Sequence, residues 1–365
     1  MASTIDAKEL EKVKRELMTC TYCGFCKSVC PSFQENTWDP SVARGRMILA
    51  YGLLNKELPA DPSVVDYLFK CTTCKDCERR CPSKVQVVDV VERARRDLVA
   101  NGYMLPKHRE VAESVLRYGN PYGEKIGAKE ALGGGDEKGE IVYFAGCTAA
   151  FRNPALAKAA MSIVRKLEGH VRLSEEKCCG SVLQRIGRPE EEVVGLMERN
   201  VAAIEAEGAN EAVFSCAGCY RMFKEEYPRH VKVPFKVKHI SEFLAERAPM
   251  LAEMKAKVTY HDPCHLGRHS GVYDAPRQVL RSIPGLEFRE MPRHRETAAC
   301  CGGGGGVRSA FPEDARRIAA RRVDEASFAD LLVTSCPFCV SNLRAGAGEK
   351  SAKVLDLVEL VEPLL

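Results

Sequence analysis

Apolar residues recur at helical spacing over the first third of the chain and gather into short runs over the rest. Val42 to Leu54 carries apolar residues every three or four positions and predicts a helix. Asp61 then Pro62 open Ser63 to Lys70, an N-cap followed by proline in the first turn. Val85 to Ala100 is a further amphipathic helix, stopped near Gly102. Seven glycines in the 22 residues from Gly119 to Glu140 mark a boundary. Beyond it the pattern repeats. Runs starting at Ile141 and Val258 end in Cys147 and Cys264. Strand-like Ala212 to Ser215 and Leu331 to Ser335 lead into Cys216 and Cys336. Helical stretches lie between, Pro189 to Glu207 and Pro312 to Ala326, and each copy closes on an apolar-periodic segment, Ile240 to Ala245 and Val354 to Val361. Strand alternating with helix predicts α/β layers with a mainly parallel sheet, one per copy.

Composition excludes several classes. At 365 residues, with 45% hydrophobic and 28% charged positions, the chain is globular and long enough for two or three domains. A net charge of +4, spread evenly, and 7% aromatic residues in no stacking series argue against nucleic acid. The longest stretch free of Asp, Glu, Lys and Arg is Leu331 to Leu343, 13 residues broken by Pro337, too short to span a bilayer. Met1 to Leu17 has no apolar leader core. The expectation is a cytoplasmic protein, or one held at the inner face of a membrane through a partner. The outlier is cysteine, 18 residues in a long chain with no secretory start, which points to metal ligands in a reducing compartment.

The first eight cysteines form two copies of one pattern, C-x2-C-x2-C-x3-C-P. They are Cys20, Cys23, Cys26 and Cys30 before Pro31, and Cys71, Cys74, Cys77 and Cys81 before Pro82. Three thiolates at spacing three let one loop hold three corners of an iron–sulfur cube, and the fourth reaches the other copy's cluster. One 4Fe–4S cubane is assigned to Cys20, Cys23, Cys26 and Cys81, the other to Cys71, Cys74, Cys77 and Cys30. Zinc, which favours two separated ligand pairs, fits this spacing poorly. The helices around the motifs make this region similar to the α-helical ferredoxin domains of respiratory iron–sulfur subunits.

The repeat beyond residue 140 supplies five thiols per copy: Cys147, Cys178, Cys179, Cys216 and Cys219, then Cys264, Cys300, Cys301, Cys336 and Cys339. A cube or a zinc ion needs four. The vicinal pairs precede Gly180 and Gly302, which permit the sharp turn that two adjacent ligands require. Five thiolates therefore suggest a cluster other than an ordinary cube, with zinc open as the alternative at the first copy. Each C-x2-C pair sits where a strand becomes a helix, and a helix start stabilises thiolate.

The doubled C…CCG…C-x2-C pattern resembles the CCG-domain iron–sulfur proteins, typified by the catalytic subunit of methanogen heterodisulfide reductase. Joined in one chain to a ferredoxin domain, it is most similar to the membrane-linked type of that enzyme. The likeness runs from Cys20 to the C-terminus and includes "GCTAAFRNP", "SCAGCYRMFKEEYP", "HDPCHLGRHSGVYDAPRQVL" and "CCGGGGGV". It implies an α+β multidomain chain: an α-helical ferredoxin domain over residues 1–118, a linker over 119–140, and tandem α/β CCG domains over 141–250 and 251–365 related by a pseudo-twofold. It also implies a noncubane 4Fe–4S cluster at each CCG motif, reducing or forming a disulfide such as CoM-S-S-CoB, in the electron transport of an anaerobe's methanogenesis. Partners would be a membrane cytochrome b-type subunit or an FAD-dependent dehydrogenase, with a small disulfide or thiol as substrate. Relatives of the same layout, among them the iron–sulfur subunits of glycolate and lactate oxidases, imply a second role. That role is an electron relay from a flavoprotein dehydrogenase (2-hydroxy acid, glycerol phosphate or electron-transfer flavoprotein) to a membrane quinone or phenazine pool.

Three further features bear on chemistry. His261, His265 and His269 surround Cys264, and His261 or His265 could deliver the proton that disulfide cleavage consumes, or pack behind the cluster. Gly302 to Gly306 follows cysteines instead of a strand, so it predicts close backbone approach to cluster sulfur and not a nucleotide loop. Arg44 and Arg46 predict a surface or cluster-facing salt bridge.

Overall fold

A computed structural model describes residues 4–349 and 351–365. The chain forms two compact units. The first gathers the chain up to Ala112 with two later segments, Val182–Val193 and Ala299–Ala319. The second holds Glu113–Ser181, Val194–Ala298 and Ala320–Leu365.

The first unit is helical. Asp61 accepts from the Val64 N–H at 2.9 Å, and Pro62 opens the helix Pro62–Phe69, as the sequence predicts. It packs with Ala43–Leu54 and Val87–Ala100 around Met47, Ala50, Leu68, Val90, Ala94 and Leu98, all fully buried. Burying the methionine, leucine and valine side chains contributes about 1.5–3 kcal/mol each. Gly45 is needed for this packing, since a Cβ there would lie 1.9 Å from the Asp39 carbonyl oxygen. The two later segments join the same helices. Arg185 pairs with the buried Glu92, and Gly187 meets the backbone of Arg95.

The second unit holds two parallel sheets. In the first, β1 (Ile141–Phe144), β2 (Glu211–Phe214) and β3 (Lys236–His239) lie in that order. In the second, β4 (Ala256–His261), β5 (Leu286–Phe288), β6 (Leu331–Thr334) and β7 (Lys353–Asp356) run β5-β4-β6-β7. The order β4-β6-β7 repeats β1-β2-β3, with β5 added at an edge. Phe144, Phe214 and His239 are level at the C-terminal edge of one sheet, and His261, Thr334 and Asp356 at that of the other. Loops beyond those edges carry Cys147, Cys216, Cys264 and Cys336, where parallel sheets place ligands.

The sequence reading differs from this unit in three places. Val354 to Val361 is a strand followed by a helix, divided at Asp356, whose carboxylate caps Leu357–Val361. The strands β3 (Lys-Val-Lys-His) and β5 (Leu-Glu-Phe) were not predicted, because each is a short edge strand with too few apolar positions to form a run. Among the described residues, no helix is long and apolar enough to cross a membrane.

Candidate metal centres

The two ferredoxin loops share one backbone. Tyr22 and Gly24 take positive φ (52° and 84°) in the first, and Thr73 and Lys75 (52° and 63°) take it at the matching positions of the second. Holding the three non-glycine residues there costs of order 1 kcal/mol each. The geometry turns backbone N–H groups inward, and the Thr73 N–H donates to Cys71 Sγ at 3.4 Å. A cavity of about 410 Å³ is lined by Cys20, Cys23, Cys26, Cys77 and Cys81. A second, of about 350 Å³, is lined by Cys30, Cys71, Cys74 and Cys77. Each motif's fourth cysteine thus faces the cavity of the other motif. Cys23 is exposed, whereas Cys30, Cys71 and Cys74 are buried.

Burial pushes the Cys77 thiol far above its ordinary range, and Cys74 and Cys71 push it further. Four thiolates persist here only beside compensating positive charge. Among the described residues, no three of these sulfurs lie mutually within 4.8 Å, whereas tetrahedral zinc with 2.3 Å bonds draws its sulfurs to about 3.8 Å. In the wall of the second cavity, Arg46 is 1% exposed, and its Nη2 has no hydrogen-bond partner among the described residues. An all-thiol donor set, wide spacing and an unpaired buried donor fit an iron–sulfur core.

The first CCG set lies wholly in the second unit. Gly146, at φ 75°, leads into the helix Cys147–Arg152, and a Cβ on it would lie 2.9 Å from Cys219 Sγ. Gly180, at φ 83°, turns the chain after the vicinal pair. Cys216 occupies the N-terminal flanking position of Ala217–Arg221, as Cys336 does for Pro337–Gly346. The thiols touch in series: Cys147 with Cys178, Cys178 with Cys179, Cys179 with Cys219, Cys219 with Cys216, and Cys216 with Cys336. Cys179 accepts from Cys178 and Cys219, which holds it well below the usual thiol range. Cys216, accepting from Cys219 and Cys336, is pushed down to about 5. Thiolate is the ligating form. No three of the first set's five sulfurs lie mutually within 4.8 Å among the described residues.

Of the second set, Cys264, Cys336 and Cys339 belong to the second unit, and Cys300 and Cys301 to the first. Gly302, at φ 89°, donates its N–H to Cys300 Sγ at 3.3 Å, one instance of the predicted N–H to sulfur contact. The rest of the glycine run serves a different purpose. A Cβ on Gly304 would lie 2.7 Å from the Thr72 carbonyl oxygen, and one on Gly305 2.2 Å from that of Cys71. His261 is fully buried, and its Nδ1 accepts from Arg322 Nε at 3.0 Å, so the neutral ring carries its proton on Nε2. His265 is half-buried beside Gly218, between Cys216 and Cys219, and stacks edge-on with His269 at 4.6 Å. His269 in turn accepts from Arg221 Nε at 2.9 Å. These two histidines therefore attend the first copy's C-x2-C turn.

The comparisons with known proteins agree with this thiol framework. The CCG model, described as a cysteine-rich domain, matches residues 141–224 and 258–344, and a 4Fe-4S dicluster domain matches 16–85. A component of dihydromethanophenazine:CoB–CoM heterodisulfide reductase from Methanosarcina mazei is 37% identical over 99% of this chain and 97% of that protein. The chain belongs to the heterodisulfide reductase family of CCG-domain proteins. A component of fumarate reductase (CoM/CoB) from Methanothermobacter marburgensis is 33% identical over 98% of this chain and 76% of its own length. EtfAB:quinone oxidoreductase from Syntrophomonas wolfei is 28% identical, with 95% and 58% covered. These relatives are oxidoreductases, and this member of the heterodisulfide reductase family is an iron–sulfur redox subunit.

In this heterodisulfide reductase family member, residues outside the cysteine motifs hold the first CCG thiol set in place. Glu176 accepts from the Gly146 and Ala145 N–H groups at 2.7 and 3.0 Å, tying Cys147 to the vicinal pair, and burial pushes its carboxyl up to about 8. Asn200, fully buried, accepts from the Lys177 N–H at 2.7 Å and donates to the Cys178 carbonyl and the Tyr227 hydroxyl, each at 3.1 Å. Tyr227 donates to the Cys179 carbonyl at 3.2 Å. The only trace of this clamp in the sequence is a carboxamide among the apolar positions Met197, Val201 and Ile204. Asn200→Ala leaves that backbone unpaired, at a cost of about 1–3 kcal/mol. A chelator is expected to draw iron from the first CCG site about tenfold faster in that variant, with the ferredoxin signals unchanged. Equal release from variant and parent would remove the clamp from the account.

Proposed function

We propose that the chain passes electrons through two ferredoxin cubanes to two noncubane CCG clusters that reduce, or form, a thiol disulfide such as CoM-S-S-CoB. Cys20, Cys23, Cys26 and Cys81 hold one cubane, and Cys71, Cys74, Cys77 and Cys30 the other. Cys147, Cys178, Cys179, Cys216 and Cys219 hold the first CCG cluster, and Cys264, Cys300, Cys301, Cys336 and Cys339 the second. The observation that carries this reading is the thiol series running from Cys147 to Cys336, in which the two C-x2-C motifs meet. A disulfide has two sulfurs to separate, and two adjacent sulfur-ligated centres suit both. The shared strand order of β1-β2-β3 and β4-β6-β7 supports a pseudo-twofold between the copies.

Bound clusters would supply single electrons and iron sites for sulfur. The reaction consumes two electrons and two protons and yields two thiols. His265, half-buried over Gly218, is the better placed of the two histidines to hand a proton to a departing thiolate, because His261 is sealed and held by Arg322. The partner would be a cytochrome b-type membrane protein, keeping the chain at the inner face of the membrane.

The second reading is a relay between an FAD-dependent dehydrogenase and a quinone or phenazine pool, favoured by the likeness to EtfAB:quinone oxidoreductase. Anaerobic purification decides between the two. The reductase reading expects about 16 irons per chain without zinc, at four per site. It also expects a new paramagnetic signal when thiol is added to the oxidised protein. A co-purifying FAD dehydrogenase without disulfide turnover would establish the relay instead.

A further inference from the structure

One fully buried guanidinium, Arg46, lines one ferredoxin cavity, a second, Arg95, bonds the backbone of Cys71 in that cavity's wall, and among the described residues the other cavity has no fully buried one. Arg46, on Ala43–Leu54, donates from Nε to the Tyr67 carbonyl at 2.8 Å and directs Nη1 toward Cys30 Sγ at 3.8 Å. Arg95, on Val87–Ala100, is fully buried. It donates to the carbonyls of Leu68, Phe69 (3.1 Å), Cys71 (2.7 Å), Arg185 (2.8 Å) and Gly305 (2.9 Å), and its guanidinium lies 5.1 Å from the Phe69 ring centroid. Burial lowers its pKa to about 10, so the charge stays on at neutral pH. Among the described residues neither arginine has a carboxylate partner.

The acids nearby are already matched. Asp76 pairs with Arg79 at 3.0 Å and Glu78 with Lys75 at 3.9 Å. At the other cavity the guanidinium in the wall is Arg44, which pairs with the half-exposed Asp39, itself also bound to Lys27. A cubane with four thiolates goes from a formal charge of about −2 to about −3 on reduction. An uncompensated buried cation favours the more negative state, and salt screens it little.

We propose that Arg46 and Arg95 set the direction of electron flow by holding the cluster at Cys30, Cys71, Cys74 and Cys77 at a higher reduction potential than the cluster at Cys20, Cys23, Cys26 and Cys81. This rests on the two-cubane reading above. One electron leaves the core beside exposed Cys23 and one enters the core beside Cys71. No proton moves, and the partner's one-electron donor restores the first core. Arg95 also marks the way onward, since it joins the Cys71 carbonyl to that of Gly305, four residues beyond Cys301.

The test is an EPR-monitored redox titration of the anaerobically purified full chain. Iron and spin counts are read first, and fewer than two cubanes would overturn the cofactor reading itself, separately from the tuning. With two present, the parent should show two ferredoxin waves, and the ligand change Cys23→Ser should mark the lower one. Arg46→Gln should displace the upper wave alone. Its reduced-to-oxidised ratio at a fixed poise should fall about tenfold, equivalent to about 59 mV for one electron. Arg46→Lys, keeping the charge, should restore most of the shift, and Arg44→Gln should leave the upper wave in place. A single wave in the parent, a Cys23→Ser mark on the upper wave, or an Arg46→Gln shift in the lower wave or in neither overturns the proposal. If Arg46→Gln loses iron, the parent waves and the Cys23→Ser mark still decide it.

Discussion

Cys179→Ser is expected to take iron from about 16 to about 12 per chain, at four irons per site, while both ferredoxin signals persist. Cys179 is the middle of the thiol series, in contact with Cys178 on one side and Cys219 on the other. Its two neighbours donate to it, which favours its thiolate form. Serine keeps the shape but not the ligand, because a hydroxyl does not ionise in this range. The remaining four thiols are then divided into Cys147 with Cys178 and Cys216 with Cys219. If the chain is the proposed disulfide reductase, its turnover should fall by more than the roughly 100-fold that loss of an outer partner alone can cost. The ferredoxin signals are the internal control, since all eight of their cysteines lie in the other compact unit. Iron analysis with EPR on the same sample reads both effects. A variant that keeps its full iron and its turnover would remove Cys179 from the ligand set.

The cysteine framework was legible in the sequence because metal ligation demands one residue type at fixed spacings, and spacing survives without an alignment. Cys30 and Cys81 face the cavity of the other motif, as the fourth position of the repeated spacing predicts. The helix Pro62–Phe69 was legible for a similar reason, since Asp61 and Pro62 act locally. Buried charge was not legible. Arg46, Arg95, Arg277 and Arg322 are among the largest fully buried side chains, yet along the sequence each resembles an ordinary solvated arginine. The expected salt bridge divides accordingly, with Arg44 paired to Asp39 and Arg46 turned to a cysteine and a carbonyl. The glycine run was read for close approach, but what it approaches, the Cys71–Thr72 backbone some 230 residues earlier, is a tertiary fact.

Arg277→Leu tests that hidden charge most severely and is expected to destabilise the second unit by about 3–5 kcal/mol. Arg277 lies on Asp274–Ser282, is fully buried, and forks onto Asp262 at 2.7 and 2.9 Å. It also reaches Glu290 at 2.6 and 3.0 Å and the Tyr273 carbonyl at 2.7 Å. Burial opposes its charge, but the two carboxylates outweigh burial and raise its pKa. Removing the guanidinium strands Asp262 in the interior where, among the described residues, only the Arg295 N–H, at 2.7 Å, still donates to one of its oxygens. Asp262 is two residues before Cys264, so the disturbance should also speed iron loss from the second CCG site. Arg277→Lys should fall between parent and Leu, because an ammonium cannot reproduce the planar fork. Asp262→Asn added to Arg277→Leu should recover part of the loss by removing the stranded charge. Urea midpoints of the four proteins read the energies, and chelator-driven iron release reads the site. If Arg277→Leu unfolds at the parent's midpoint, the network contributes nothing net, and Cys264 is positioned by β4 and Pro263 alone.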